Sequence, residues 1–292
     1  MYKQIAQNKR RTVLIMFLFV ILIGAIGAAF AAYFGDWWIV LWTVVAASIY
    51  AGIQYFIAGS ATMMMTGATE ISKKDCPRLY NAVENLSITT GLPMPKVYLI
   101  DDPAPNAFAT GRDPKHAMVA ATSGLVDIMN DKELTAVMAH EMSHVKNYDI
   151  RVSLIVFGLV CVVGMIADIG SRMMFYGNRR RDNEGSPVGY VLVLVAMILS
   201  PILASLIQMA VSREREYLAD ASAVNITRYP EGMISALKKL QAHSQPMRSQ
   251  NTAAASMYIN DPLRKGFLSE MFSTHPPIEK RIERLEHGKK NF

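Results

Sequence analysis

DKELTAVMAHEMSHVKNYDIRVSLIVFGLV, residues 131–160, carries two signals in one stretch. The first is His140-Glu141-Met142-Ser143-His144 inside an amphipathic segment that runs from Asp131 to Tyr148. Asn130 followed by Glu133 is a capping-box pattern and opens this segment as a helix. Residues four apart share a helix face, so His140 and His144 are placed to offer two imidazoles to one Zn²⁺. Glu141, beside them, is placed to take a proton from a water at that ion. The second signal is the apolar run Val152–Ile169, which begins four residues after Tyr148. The metal-binding helix therefore leads straight into a membrane-type segment.

Outward from this stretch, three further apolar runs appear: Val13–Tyr33, Trp37–Ala58 and Val188–Val211. Each has the roughly 20 residues that cross a bilayer as a helix. Only Phe34-Gly35-Asp36 separates the first pair, which predicts a tight hairpin with Trp37 and Trp38 at an interface. Pro201 is expected to kink the last run. Lys9, Arg10 and Arg11 precede the first run and place the N-terminus in the cytoplasm. An A-x-A site at Ala29-Phe30-Ala31 would make the first run a signal peptide. Its length and the span that follows at once favour a hairpin. Arg179, Arg180 and Arg181 lie between the last two runs, against the positive-inside tendency, yet four full spans remain the expected arrangement.

With 292 residues, 51% of them hydrophobic, the chain is long enough for such spans plus a water-exposed domain. The net charge of +6 is accounted for by membrane topology, and no nucleic-acid partner is expected. Cys76 and Cys161 form neither a disulfide framework nor a metal pair. The fold class expected is therefore membrane α-helical plus α+β, in four parts. Residues 1–58 are expected to form a transmembrane hairpin and 59–151 the first part of the water-exposed domain that carries His140–His144. Residues 152–211 are expected to form a second hydrophobic helical pair and 212–292 the second part of that domain. Val97–Ile100, Ala107–Thr110 and Ala117–Thr122 read as short strands separated by Asp/Pro and Gly/Pro turns. Met64–Leu92, Pro230–Gln241 and Ile278–His287 read as helices, and Ala242–Gly266 as a mobile loop.

Catalytic zinc takes a third protein ligand and keeps an open fourth position. Ser212–Asp220, SREREYLAD, offers Glu216 and Asp220 one helical turn apart. By itself this string is a solvated charged helix. Beside the His140–His144 helix, Glu216 becomes the third ligand, and Asp220 the acceptor for an imidazole N–H that fixes the tautomer. His116, His243 and His287 stand in polar stretches and read as surface.

Several pieces together carry a resemblance. These are Asn106-Ala107-Phe108-Ala109, His140–His144 followed by Asn147 and Asp149, the Ser212–Asp220 string, and Thr274-His275-Pro276-Pro277 with Arg281. In them the chain resembles the M48 family of zinc metallopeptidases, within the gluzincins. In its whole layout it is similar to the bacterial heat-shock membrane proteases of that family. The resemblance implies one Zn²⁺ held by His140, His144 and Glu216, with Glu141 as general base. It implies an oxyanion donor from a distant segment, His275 first and Arg281 as the alternative. It implies that Asn106–Ala109 is an edge strand along which an extended substrate lies. It also implies a multi-pass protein of the bacterial inner membrane with its active site on the cytoplasmic side. Its substrates would be misfolded or damaged membrane proteins and unfolded polypeptides. Three other readings fit less well. The charges Lys132, Glu133, Lys146 and Asp149 argue against an intramembrane site. The metal candidates all lie outside the apolar runs, unlike those of a transporter. Intact Glu141 argues against an inactive scaffold.

Overall fold

The computed structural model describes residues 2–176, 191, 194–195, 213–249, 254–260, 262 and 276–288. Two long helices come first, α1 (Tyr2–Phe34) and α2 (Trp38–Met65), turned back on each other at Gly35. Gly35 adopts φ +73°, a left-handed conformation that glycine takes without steric cost. Close approach of the pair depends on Gly27, where an added Cβ would fall 2.0 Å from Thr43 Oγ1. Stretches of both helices are long and apolar enough to span a bilayer, and most of their surface faces outward. Val13, Phe17, Trp42, Ile49 and Phe56 are all exposed. An outer apolar belt of this kind fits a membrane protein.

Next come β1 (Thr69–Glu70), α3 (Pro77–Thr90), β2 (Lys96–Ile100), β3 (Ala107–Gly111), β4 (Ala117–Thr122) and α4 (Ser123–Ile128). The strands form one sheet in the order β1-β2-β4-β3, with β2 and β4 parallel and the other two pairings antiparallel. The expected helix over Met64–Leu92 is thus two helices with a strand between them. Gly67, at φ +70°, stops the first, and Pro77 starts the second at a position where proline is tolerated.

The helix that carries His140 and His144 is α5 (Asp131–Lys146). Its capping box is present: Glu133 N–H donates to Asn130 Oδ1 at 3.0 Å, and Asn130 N–H donates to Glu133 Oε2 at 2.7 Å. The helix ends two residues earlier than expected, because Tyr148 takes φ +61° and turns the chain into α6 (Asp149–Tyr176). Three helices complete the described fold: α7 (Arg213–Thr227), α8 (Pro230–Ala242) and α9 (Ile278–Gly288). Most of the fourth apolar run, with Pro201 and the arginines at 179–181, lies outside the described residues.

The strand alternation splits the sheet cleanly. Ala107, Ala109, Val119 and Ala121 face a core made with α3, α5, α7, α8 and α9. Phe108, Met118 and Ala120 face the opposite way, against Phe157 of α6 and Met247, Met257 and Tyr258. The stretch expected to be a mobile loop is therefore packed where it is described. Met257-Tyr258-Ile259 is an apolar triplet that is buried, and Tyr258 meets Phe108 edge-on at 4.8 Å between ring centroids. On the membrane side, Val152, Ile155, Val156 and Leu159 of α6 pack against Ile15 and Phe19 of α1 and Ala47 and Ala51 of α2. Tyr50 Oη donates to Gly158 O at 2.8 Å.

Candidate metal centre

α5 and α7 lie side by side and bring His140, His144 and Glu216 together, with one ligand atom from each inside 4.8 Å of the others. His140 Nε2 stands 3.2 Å from His144 Nε2 and 3.6 Å from Glu216 Oε2. His144 Nε2 stands 3.5 Å from Glu216 Oε1. Three ligands on a tetrahedral zinc at about 2.0–2.2 Å lie about 3.3–3.5 Å from one another. The observed spacings match that figure, so the donor set and its geometry fit zinc.

The far side of each imidazole explains the near side. His140 Nδ1 meets Asp220 Oδ1 at 2.9 Å, and His144 Nδ1 meets Asp149 Oδ2 at 3.1 Å. Each carboxylate fixes its ring proton on Nδ1 and leaves the Nε2 lone pair turned into the site. The two Nε2 atoms stand 3.2 Å apart, a gap that a proton or a metal cation between them would bridge.

Charge points the same way. Four carboxylates, Glu141, Asp149, Glu216 and Asp220, are buried around the site with the guanidinium groups of Arg281 and the largely buried Arg215. With all four ionised and both imidazoles neutral, the surplus is two negative charges, which one divalent cation would balance. Burial opposes a proton on His140, yet Asp220 and Glu216 outweigh it and push that imidazole up to about 9. Burial also opposes ionisation of Asp220, but Arg281 and His140 hold its carboxyl down at about 2. Asp149 and Asp220 are thus held ionised, and positive charge is drawn to the centre of the site.

Arg281, on α9, is fully buried and grips Asp220 with two donors: Nε to Oδ2 at 2.9 Å and Nη2 to Oδ1 at 2.7 Å. Its Nη2 lies 3.4 Å from His140 Nδ1, and its Nη1 lies 3.9 Å from Glu216 Oε2. Glu141 is buried next to His140, and its charge is one of those that raise the Arg281 pKa. His275 lies outside the described residues. His116, His243 and His287 are exposed and bonded elsewhere, to Asp113, Lys239 and Glu283.

Asn106–Ala109 opens the edge strand β3, but part of that edge is covered. Ile259 N–H donates to Ala107 O at 2.9 Å. The Asn106 side chain clamps Asn260, donating to its carbonyl at 2.8 Å and accepting from its N–H at 3.1 Å. Ala109 shares the outward orientation of Ala107 by the two-residue alternation of a strand. Three residues that sequence reasoning left without a role also converge here. Asp149 orients His144, while Asn8 and Arg215 hold Asp149. Asp149 carries a signal in the sequence, an acid five residues beyond the second histidine. Asn8 and Arg215 carry none, since their contacts come from distant segments.

A helix that carries both imidazoles and the adjacent glutamate, completed by a carboxylate from a second helix, defines a metal-dependent peptidase. Comparison with known proteins makes the class specific. Residues 73–289 match Peptidase family M48, and the chain belongs to that family. A "Protease HtpX homolog" of Tropheryma whipplei (strain Twist) is 53% identical over 292 residues, all of both chains. Another, of Ligilactobacillus salivarius (strain UCC118), is 47% identical and covers 98% of this chain and 99% of its own. Among solved structures, the crystal structure of S. mikatae Ste24p superposes with a TM-score of 0.53 at 19% identity. It covers 98% of this chain and 67% of the other, a likeness of fold. The protein is a metalloprotease similar along its whole length to HtpX-type proteases.

Proposed function

We propose that the chain is a zinc endopeptidase of the bacterial inner membrane that cleaves misfolded or damaged membrane proteins and unfolded polypeptides. Its active site faces the cytoplasm. The observation that carries this reading is the convergence of His140, His144 and Glu216 at the foot of the membrane helices. α5 turns into α6 within two residues, at Asn147 and Tyr148. The first half of α6 packs along α1 and α2, which supports a membrane span there. Four spans, with the protease domain divided into residues 59–151 and 212–292, complete the arrangement. A site so close to the bilayer meets polypeptide segments that emerge from it.

Bound zinc would polarise the scissile carbonyl and acidify a water. Glu141 is the residue that would accept a proton from a water at the site and return it to the leaving amine. Asp220 and Asp149 hold the two imidazoles in the tautomer that binds metal, and Arg281 fixes Asp220. An extended peptide pairs with the outward N–H and C=O of Ala109, beyond the part of the edge covered by Ile259. Backbone pairing of this kind favours unfolded segments of any sequence. A side-chain donor at the site would stabilise the oxyanion. His275 is the leading candidate, because in sequence it directly precedes Pro276 and Pro277, and α9, which follows them, brings Arg281 into the site. Arg281 is the alternative donor through Nη1.

The test uses zinc-loaded enzyme in vesicles of bacterial phospholipid. One unfolded segment is presented both tethered to a transmembrane helix in the same vesicles and free in solution. Confinement to one membrane raises effective concentration, so tethered substrate should be cut faster by about tenfold or more. Equal rates for the two forms would remove membrane proteins as the preferred substrate class.

A further inference from the structure

Asn8 is a polar side chain near the start of α1, and it is 3% exposed. A buried amide in such a place is unfavourable unless its hydrogen bonds are made. Here they are made to the far end of the metal helix. Asn8 Nδ2 donates to Asn147 O at 2.9 Å and to Asp149 Oδ1 at 2.7 Å. Asn147 is the residue that ends α5, and Asp149 is the first residue of α6. Between them stands Tyr148 in its left-handed conformation. The next residue of α1 reinforces the grip, with Lys9 Nζ 4.7 Å from the centre of the Tyr148 ring. Arg151 stacks on the same ring at 5.0 Å.

The Asp149 carboxylate is shared in an orderly way. Its Oδ1 accepts from Asn8 and, at 3.2 Å, from Arg215 Nη1. Its Oδ2 is left for His144 Nδ1. Groups that hold the far nitrogen of a liganding histidine set its orientation and basicity. We propose that Asn8 is a positioning residue for the metal ligand His144: it fixes Asp149 and the elbow between α5 and α6, and so ties the metal site to the membrane anchor. The proposal rests on His140, His144 and Glu216 being the metal ligands, and it adds a structural dependence of the site on α1.

Zinc affinity measured on the full-length chain in detergent, by competition with a chromophoric chelator, tests this without recourse to activity. Asn8→Ala removes the donor and keeps the helix, since alanine is the best helix former. It should weaken zinc binding about tenfold, the low end of the range for groups that hold a liganding histidine. With Co²⁺ in place of zinc, the visible absorption bands should shift. Thr12→Val is the control for helix packing, because the Thr12 hydroxyl bonds back to Asn8 O within α1. It should leave both readouts unchanged. Asp149→Ala alone should weaken binding about tenfold to a hundredfold. Adding Asn8→Ala to that background should cost clearly less than it does alone, because the bond to Asp149 is already gone and only that to Asn147 O remains. Wild-type affinity in Asn8→Ala, or losses that simply add in the double variant, would overturn the proposal and leave the ligand assignment standing. A His144→Ala protein that binds zinc like the wild type would overturn the ligand assignment and the proposal with it.

Discussion

Glu141→Gln is expected to keep one zinc ion per chain while peptide turnover falls by about 10²–10⁴-fold, the contribution typical of a general base. Glu141 follows His140 by one residue, about 100° further round the helix. It therefore flanks the face that His140 and His144 present and is not among the three converging ligand atoms. Glutamine matches its shape in a buried position, so the fold and the ligands stay in place. What is lost is a basic oxygen able to take and return a proton. Zinc analysis together with the cleavage rate of a quenched peptide checks both halves. Turnover close to wild type in the zinc-loaded variant would exclude Glu141 as the base.

Arg281→Ala should have the largest effect on stability. The side chain is completely buried and faces two buried carboxylates, Asp220 and Glu216. Removing one partner of a buried ion pair leaves an uncompensated charge, which costs about 3–5 kcal/mol. The loss should be greatest in metal-free protein and smaller with zinc, since the cation offsets part of the same negative charge. Arg281→Lys restores the charge but not the two parallel bonds to Asp220, so it should recover only part of the stability. Thermal unfolding in detergent, with zinc and with chelator, measures the three proteins. An unchanged melting temperature for metal-free Arg281→Ala would contradict the clamp.

Much of this architecture is written in local sequence. The β4 strand, Ala117–Thr122, is found where its alternation places it, and β2 and β3 differ from expectation by one residue each. The start of α5 is fixed by Asn130 and Glu133, which interact within a single turn. Spacing alone puts His140 and His144 on one face. The break in Met64–Leu92 was signalled by Gly67 and Pro77, but β1 is two residues long and exists only through pairing with β2. A two-residue pattern has no periodicity to read. The burial of Met257-Tyr258-Ile259 depends on Phe108, some 150 residues earlier in the chain. The same holds at the metal centre. Asn8 meets Asp149 across 141 residues and Arg281 meets Asp220 across 61, and no local rule pairs them. The candidate ligand cluster was legible because one helix supplies two of its three members. The groups that orient the ligands were less so, because each comes from a different part of the fold.

The central claim is that His140, His144 and Glu216 jointly hold one catalytic zinc. Glu216 is the decisive member, since it comes from a separate helix and its recruitment depends on the fold. Metal analysis of purified Glu216→Ala beside the wild type tests the claim directly, with circular dichroism to confirm that both are folded. The wild type should carry one zinc per chain, and the folded variant should carry almost none. A full complement of zinc in folded Glu216→Ala would contradict the account.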